Sequence, residues 1–113
     1  MKKLLPDCYW PSSKNGEYVS HEAICILNVT DDPAVIDITL YFEDRAPVKG
    51  FRVCVASQRT NHIRMDKLVS ETGETVPMDT PYATLIESNV DVAVQYTRVD
   101  TTQSELALMT TMV

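Results

Sequence analysis

The chain is poor in several residue types whose presence would point to a specific chemistry. Its 113 residues contain only three glycines, and each stands alone. Glycine-rich phosphate-binding loops and G-x-S-x-G nucleophile elbows are therefore absent. The three cysteines are widely spaced and form no C-x-x-C pair, so reduced thiols are favoured over a thiolate metal site or a disulfide framework. No segment approaches the ~18 consecutive apolar residues of a membrane-spanning helix.

Positive charge is also scarce. The chain has ten lysines and arginines and 16 acidic residues, giving a net charge of −6. This charge disfavours attraction to a phosphate backbone or an anionic membrane. Nucleic acid is therefore not an expected partner. The basic start is followed by only two apolar residues before Pro6 and Asp7, too few for a secretory signal. We expect a cytoplasmic protein, with Cys25 and Cys54 as buried, reduced thiols in apolar strands.

The length and the apolar content bound the architecture. A chain of 113 residues fits one domain over residues 1–113 and can bury ~65% of its unfolded surface. Its hydrophobic fraction of 44% is ordinary for a globular protein, so the chain can form a core without disulfides or metals.

Residues 35–42 show the clearest periodicity in the chain. Ile36, Ile38 and Leu40 alternate with side chains of the opposite face, which is typical of a half-buried strand. Further strands are predicted at residues 20–28 (as a buried central strand), 51–57, 60–65, 91–98 and 105–113. Seven or eight short strands with turn signals between them predict an all-β fold, a two-sheet antiparallel β-sandwich.

Three segments give a weaker pattern. Residues 69–76 predict an exposed loop or an irregular hairpin with no core residue of its own. Residues 83–86 are compatible with a strand or a helical turn. Residues 102–105 match a capping box, which predicts one helical turn before the final strand.

Polar side chains gather at the ends of three predicted strands. The candidate ligand-binding residues are His21, Glu22, Arg59, His62, Arg64, Gln95, Thr97, Arg98 and Asp100. The arginines could bind anionic or polyhydroxylated groups, while Glu22 and Asp100 hold them in place. An ion-pair network, within the chain or across a subunit interface, explains the same residues, and both interpretations stay open.

The sequence carries no pattern for a metal, a cofactor or catalysis. His21 and Glu22 are adjacent, so they point to opposite faces of a strand and cannot easily share one ion. A sequential Ser-His-Glu at residues 20–22 also lacks the geometry of a catalytic triad, whose members come from separate segments. We expect no metal, no cofactor and no enzyme activity.

Three aromatic residues cluster near the start of the chain. Tyr9, Trp10 and Tyr18 could stack on a sugar ring or on a partner surface. The alternative, which we favour, is that Trp10 covers one end of the core.

Seven segments carry a family resemblance: residues 20–28, 38–42, 45–48, 59–64, 83–90, 95–100 and 103–111. Occurring in this order over most of the chain, they resemble the sensory rhodopsin transducer family. Tyr96 departs from the family pattern, since the founding member of the family has a histidine at this position. The resemblance implies a cytoplasmic, jelly-roll-like β-sandwich, similar to carbohydrate-binding modules, that assembles as a homotetramer. In the founding member of the family, the tetramer docks on the cytoplasmic side of a membrane photoreceptor.

The residues and the resemblance together predict a non-enzymatic, homo-oligomeric signalling and binding module. Its expected ligand is a small sugar-like or anionic molecule. One alternative is a transducer that docks on the cytoplasmic face of a membrane photoreceptor. A sugar-active enzyme is a further alternative, and DNA binding, also proposed for the family, is disfavoured by the net charge of −6.

Overall fold

The alternating pattern of the sequence gives eight strands in a computed structural model that describes residues 1–113. The strands are β1 (Lys2–Cys8), β2 (His21–Asn28), β3 (Ala34–Phe42), β4 (Val48–Val55), β5 (Arg59–Arg64), β6 (Tyr82–Ser88), β7 (Ala93–Asp100) and β8 (Ala107–Met112). A single 3₁₀ turn, Met65–Lys67, follows β5.

The strands form two four-stranded sheets in which all neighbours are antiparallel. Sheet A has the order β1-β6-β3-β4, and sheet B has the order β5-β2-β7-β8. Nowhere does the fold contain a helix with the length and hydrophobicity needed to cross a bilayer. The predicted all-β, two-sheet antiparallel β-sandwich is confirmed.

The core lies between the sheets and is built by one face of each central strand. Ile36, Ile38 and Leu40 of β3 are at most 1% exposed, and Ile24 and Ile26 of β2 are fully buried. Burying one such side chain stabilises the fold by about 1.5–3 kcal/mol. The predicted alternation in residues 35–42 is therefore confirmed, as is the central position of β2 between β5 and β7.

The end of the chain agrees with the sequence in part. The final strand is confirmed as β8, but the helical turn predicted before it is wrong. Asp100 accepts hydrogen bonds from the Thr102 N–H at 2.8 Å and from the Thr102 hydroxyl at 2.6 Å. A side chain that closes a local turn in this way competes with helix formation.

The two other ambiguous segments are also defined. Residues 83–86 lie within β6, in the interior of sheet A. Residues 69–76 form an irregular hairpin with one bridge between Val69 and Thr75. The expectation that this hairpin supplies no core residue is wrong, because Val76 is only 2% exposed.

Strand β1 was not predicted from the sequence. It is an edge strand that contains Pro6, a residue that sheets accept mainly at their edges. Its register on β6 shifts between Leu5 and Cys8, and both of these side chains are buried. Because Leu5 and Cys8 are three positions apart and Pro6 lies between them, the sequence of β1 shows no alternation of buried and exposed residues.

The cysteine prediction needs correction. Cys54 is exposed and Cys25 is half-buried, whereas Cys8 is the buried thiol. In β4 the inward face belongs to Phe51 and Val55, so alternation turns Cys54 outward. Burial raises the pKa of Cys8 to about 12 because it disfavours the charged thiolate.

We predict that Leu5→Ala destabilises the protein by about 2–5 kcal/mol, because the change leaves a cavity where β1 meets the core. The neighbouring Leu4 is 73% exposed, so Leu4→Ala is a matched control that should change stability by less than about 0.5 kcal/mol. Urea denaturation followed by circular dichroism measures both. Equal effects of the two variants would contradict the assigned orientation of β1.

Candidate functional site

The nine predicted site residues lie in three separate places. Alternation along the strands puts Glu22 and Arg98 on the inner face of sheet B, where they are register partners. Arg59 and Asp100 lie at strand ends. The remaining five share the outer face of sheet B: His21, His62, Arg64, Gln95 and Thr97. The structure therefore brings five of the nine residues onto one surface and places the other four elsewhere.

The outer face of sheet B contains a shallow trough along β2. In the strand register, Cys25 pairs with His62 on one side and with Gln95 on the other. The small Cys25 side chain thus forms the floor between two larger polar side chains, whose Cα atoms are about 10 Å apart over two strand spacings. The cavity has a volume of about 230 Å³. We define this sheet trough by six of its lining residues: Cys25, Leu27, Thr60, His62, Gln95 and Met112.

The chemistry of the sheet trough is that of a polar binding surface with an apolar floor. No hydrogen bond within the chain uses the side chains of His62 or Gln95, whereas the Thr60 hydroxyl donates to the Ile26 carbonyl at 3.1 Å. No carboxylate lines the cavity. The imidazole and the amide are thus free to bind a ligand, and the trough does not repel an anion.

Arg64 stands beside the trough and is held by an acid that the sequence prediction did not name. Its Nε and one terminal nitrogen each donate to Asp66 at 2.8 Å, in a two-pronged ion pair. Burial by itself would raise the pKa of Asp66, but the hydrogen bonds and the charge of Arg64 outweigh it and lower that pKa. Arg64 is therefore held by Asp66 and not by Glu22 or Asp100, the two candidate partners named from the sequence.

The two residues at strand ends do not contribute to the trough. Arg59 is exposed, and its guanidinium donates to the Gln58 carbonyl at 2.9 Å. Asp100 makes no ion pair with an arginine, because its carboxylate accepts hydrogen bonds from Thr102. These bonds lower the pKa of Asp100.

Glu22 forms the centre of a buried polar cluster between the sheets. Its side chain is fully buried, and its carboxylate accepts hydrogen bonds from the Tyr82 hydroxyl at 2.6 Å, the Tyr9 N–H at 2.8 Å and the Tyr96 hydroxyl. The Nε atom of Arg98 lies 4.0 Å from the carboxylate and donates to the Tyr96 oxygen at 3.0 Å. The predicted pairing of Glu22 with an arginine is confirmed for Arg98.

The cluster is built to connect strands. Tyr82 belongs to sheet A, Tyr96 to sheet B, and Tyr9 follows β1. Burial and the charge of Glu22 raise the pKa of both tyrosines far above neutral pH, so their hydroxyls stay protonated and keep donating. A buried carboxylate with several donors is stable, whereas one without them is costly. The cluster therefore fixes β1 and both sheets relative to one another.

Sequence reasoning missed the two tyrosine donors, although a signal existed. In residues 91–98, Tyr96 alternates in phase with the apolar Val92 and Val94, and a tyrosine on such a face needs a partner for its hydroxyl when it is buried. The preference for Trp10 as a core residue is confirmed at 8% exposure, while Tyr18 is 71% exposed.

The fold defines the chain as a small antiparallel β-sandwich protein, and comparison with known proteins then gives its family. Residues 2–113 match the family model described as Anabaena sensory rhodopsin transducer. The chain belongs to this family, which confirms the resemblance found in its sequence. No curated protein matches it.

Two solved structures are similar over most of the chain. The crystal structure of Thermotoga maritima 1070 is 40% identical, with a TM-score of 0.86 over 98% of this chain and 90% of that one. The Anabaena sensory rhodopsin transducer is 38% identical, with a TM-score of 0.77 over 88% of this chain and 87% of that one. The similarity in structure therefore extends well beyond the trough and the buried cluster.

We predict that Tyr82→Phe destabilises the protein by about 1.5–3 kcal/mol, because the buried Glu22 carboxylate loses a donor that nothing replaces. Tyr41→Phe is the matched control, since Tyr41 is 41% exposed. Urea denaturation at pH 7 measures both variants. A loss below about 0.5 kcal/mol for Tyr82→Phe would contradict the role of Glu22 as a structural centre.

Proposed function

We propose that the chain is a non-enzymatic signalling module that acts as one domain over residues 1–113 and assembles as a homo-oligomer in the cytoplasm. Membership in the sensory rhodopsin transducer family supports the signalling role. The observation that carries the proposal is the outer face of sheet B, where free polar groups flank an apolar floor. Such a surface is suited to binding and not to turnover.

The buried cluster supports a role without catalysis. Glu22 is the carboxylate with the most unusual surroundings, but it is fully buried and its oxygens are occupied by donors from within the chain. A general acid or base must come within hydrogen-bonding distance of its substrate. A group closed in the core cannot do so, and its contacts explain its presence through stability.

The ligand of the sheet trough is proposed to be a small, anionic, sugar-like molecule. His62 and Gln95 offer groups that donate to a ligand. In the next outward-facing row of the sheet, Ala23 pairs with Arg64 on one side and with Thr97 on the other. Polar contacts on both sides of the trough orient the ligand, and the apolar floor contacts its carbon skeleton. Arg59 and Asp100, at the strand ends, have no part in this site.

Strand β8 is proposed to provide a contact between subunits. Leu108 and Met112 are 63% and 64% exposed, and no charged residue occurs in residues 106–113. Edge strands usually carry charges that prevent pairing with another chain. Since β8 lacks such charges, its apolar composition favours pairing with a strand of another subunit.

The hydrogen-bond pattern of β8 suits a second copy of itself. The Val113 N–H donates to the Val94 carbonyl at 3.0 Å, so the antiparallel alternation turns the backbone groups of Leu108, Thr110 and Met112 away from β7. Two β8 strands paired around Thr110 would place Leu108 opposite Met112. This pairing joins two sheets across a twofold axis, and a homotetramer, which the family resemblance implies, needs one further contact between such dimers.

Docking on the cytoplasmic face of a membrane photoreceptor is the second candidate function. It is favoured by the likeness to the solved Anabaena sensory rhodopsin transducer, at 38% identity over 88% of this chain. A rhodopsin gene beside the gene for this chain would favour docking, whereas neighbouring genes for sugar catabolism would favour ligand sensing.

We predict that sugar acids raise the melting temperature of the protein by binding in the sheet trough. A ligand at 100 times its dissociation constant stabilises the folded state by about 2.7 kcal/mol. The double variant His62→Ala/Gln95→Ala should lose this shift, and Arg59→Ala, on the same sheet but outside the trough, should keep it. A thermal-shift screen of sugar acids and small carboxylates tests this. If the double variant still shows the rise in melting temperature, the ligand does not bind in the trough.

We predict that Thr110→Pro lowers the oligomeric state while the fold is retained, because the substitution removes an N–H that faces away from β7 and blocks strand pairing. Thr110→Ala is the control, since it keeps that N–H. Size-exclusion chromatography with light scattering gives the mass, and circular dichroism checks the fold. An unchanged mass for Thr110→Pro, or a monomeric parent protein, would contradict pairing through β8.

A further inference from the structure

A second cavity lies at one end of sheet B and is formed by two loops. One loop leads into β2 and the other connects β7 with β8. The cavity has a volume of about 340 Å³, which is within the range of small-molecule sites. Six residues define this loop cleft: Asn15, Glu17, Tyr18, Gln103, Ser104 and Leu106. It shares no residue with the sheet trough.

The base of the loop cleft is fixed by buried hydrogen bonds. The Asn15 N–H donates to the Thr101 carbonyl at 2.6 Å. The Thr101 N–H donates to the Ser20 hydroxyl at 2.9 Å, and the two hydroxyls are 3.1 Å apart. Ser20 and Thr101 are both 2% exposed. The two loops are therefore joined at their base before any ligand arrives, which lowers the cost of ordering them on binding.

The polar side chains around the cleft are not used by the fold. No hydrogen bond within the chain involves the side chains of Asn15, Glu17, Tyr18, Gln103 or Ser104, whereas the adjacent Thr102 and Asp100 bond to each other. Together the five offer two amides, a carboxylate, a phenol and a hydroxyl. All five side chains are exposed, so they are hydrated in the free protein and available to a ligand that enters the cavity.

The composition of the cleft selects one class of ligand. Amides and hydroxyls both donate and accept, which matches a molecule with several hydroxyl groups. Tyr18 and Leu106 add apolar surface for the C–H face of a sugar ring. The one charged group is the Glu17 carboxylate, and no cation lines the cavity, so phosphate and carboxylate groups are disfavoured.

We propose that the loop cleft binds a neutral polyhydroxylated molecule of monosaccharide size. This site goes beyond the proposed function, since it is separate from the sheet trough and differs from it in charge. The amides of Asn15 and Gln103 hold the hydroxyl groups, and Glu17 accepts from them and excludes anionic analogues.

The experiment is a titration of the full chain with a panel of neutral hexoses and pentoses, each up to about 50 mM, followed by two-dimensional amide NMR. We expect saturable shifts at Gly16, Gln103 and Ser104 for at least one sugar. The corresponding sugar phosphate should bind at least about tenfold more weakly, and Glu17→Gln should reduce that difference.

Two variants locate the binding. Asn15→Ala/Gln103→Ala changes only exposed side chains and should abolish the sugar shifts, whereas His62→Ala/Gln95→Ala, in the trough, should leave them unchanged. Shifts that map to the trough, equal binding of the sugar phosphate, or no saturable shift for any sugar would each overturn the proposal. Since the trough is tested with sugar acids and its own variants, failure of one site is distinguishable from failure of the other.

Discussion

The buried carboxylate of Glu22 is the interaction on which the arrangement of this sandwich depends. Donors from sheet A, from sheet B and from the segment after β1 converge on it, and a carboxyl group this deep is costly without such donors. Because side chains alternate along a strand, Glu22 in the core also requires Ala23 and Cys25 to face outward. A shift of β2 by one residue would move the carboxylate to the surface and the trough floor into the core. The core interaction and the outer binding surface are thus set by the same register.

The outer faces of the two sheets differ in how their polar groups are used. On sheet A, one row of register partners carries Lys2, Glu87, Asp37 and Arg52, and Arg52 makes a two-pronged pair with Asp37. Exposed pairs of this kind contribute little to stability, but they leave few charges free. The trough on sheet B has no such pairing. The trough on sheet B therefore keeps polar side chains that no ion pair occupies.

Much of the fold could be predicted from the sequence, and the reason is periodicity. Residues 35–42 alternate most clearly and lie within β3, while the strands predicted at 91–98 and, from a weaker pattern, at 105–113 correspond to β7 and β8. β1 was missed because Pro6 interrupts a short strand whose two core residues are not two positions apart. The candidate site was predicted only in part, since periodicity gives the face of a residue but not the neighbours of its strand. The position of β2 between β5 and β7 brings His62 and Gln95 together, while the loop cleft lies in segments without any period.

The order of strands in the two sheets has a consequence for the speed of folding. Only β3–β4 and β7–β8 pair as sequence neighbours, whereas β1 pairs with β6 and β2 pairs with β7. Each of these distant pairings requires a long stretch of chain to be closed before its contacts form. Proteins dominated by such contacts fold in milliseconds to seconds. Folding should therefore be slow for a chain of this length, since four of its six strand pairings join strands that are not neighbours in sequence.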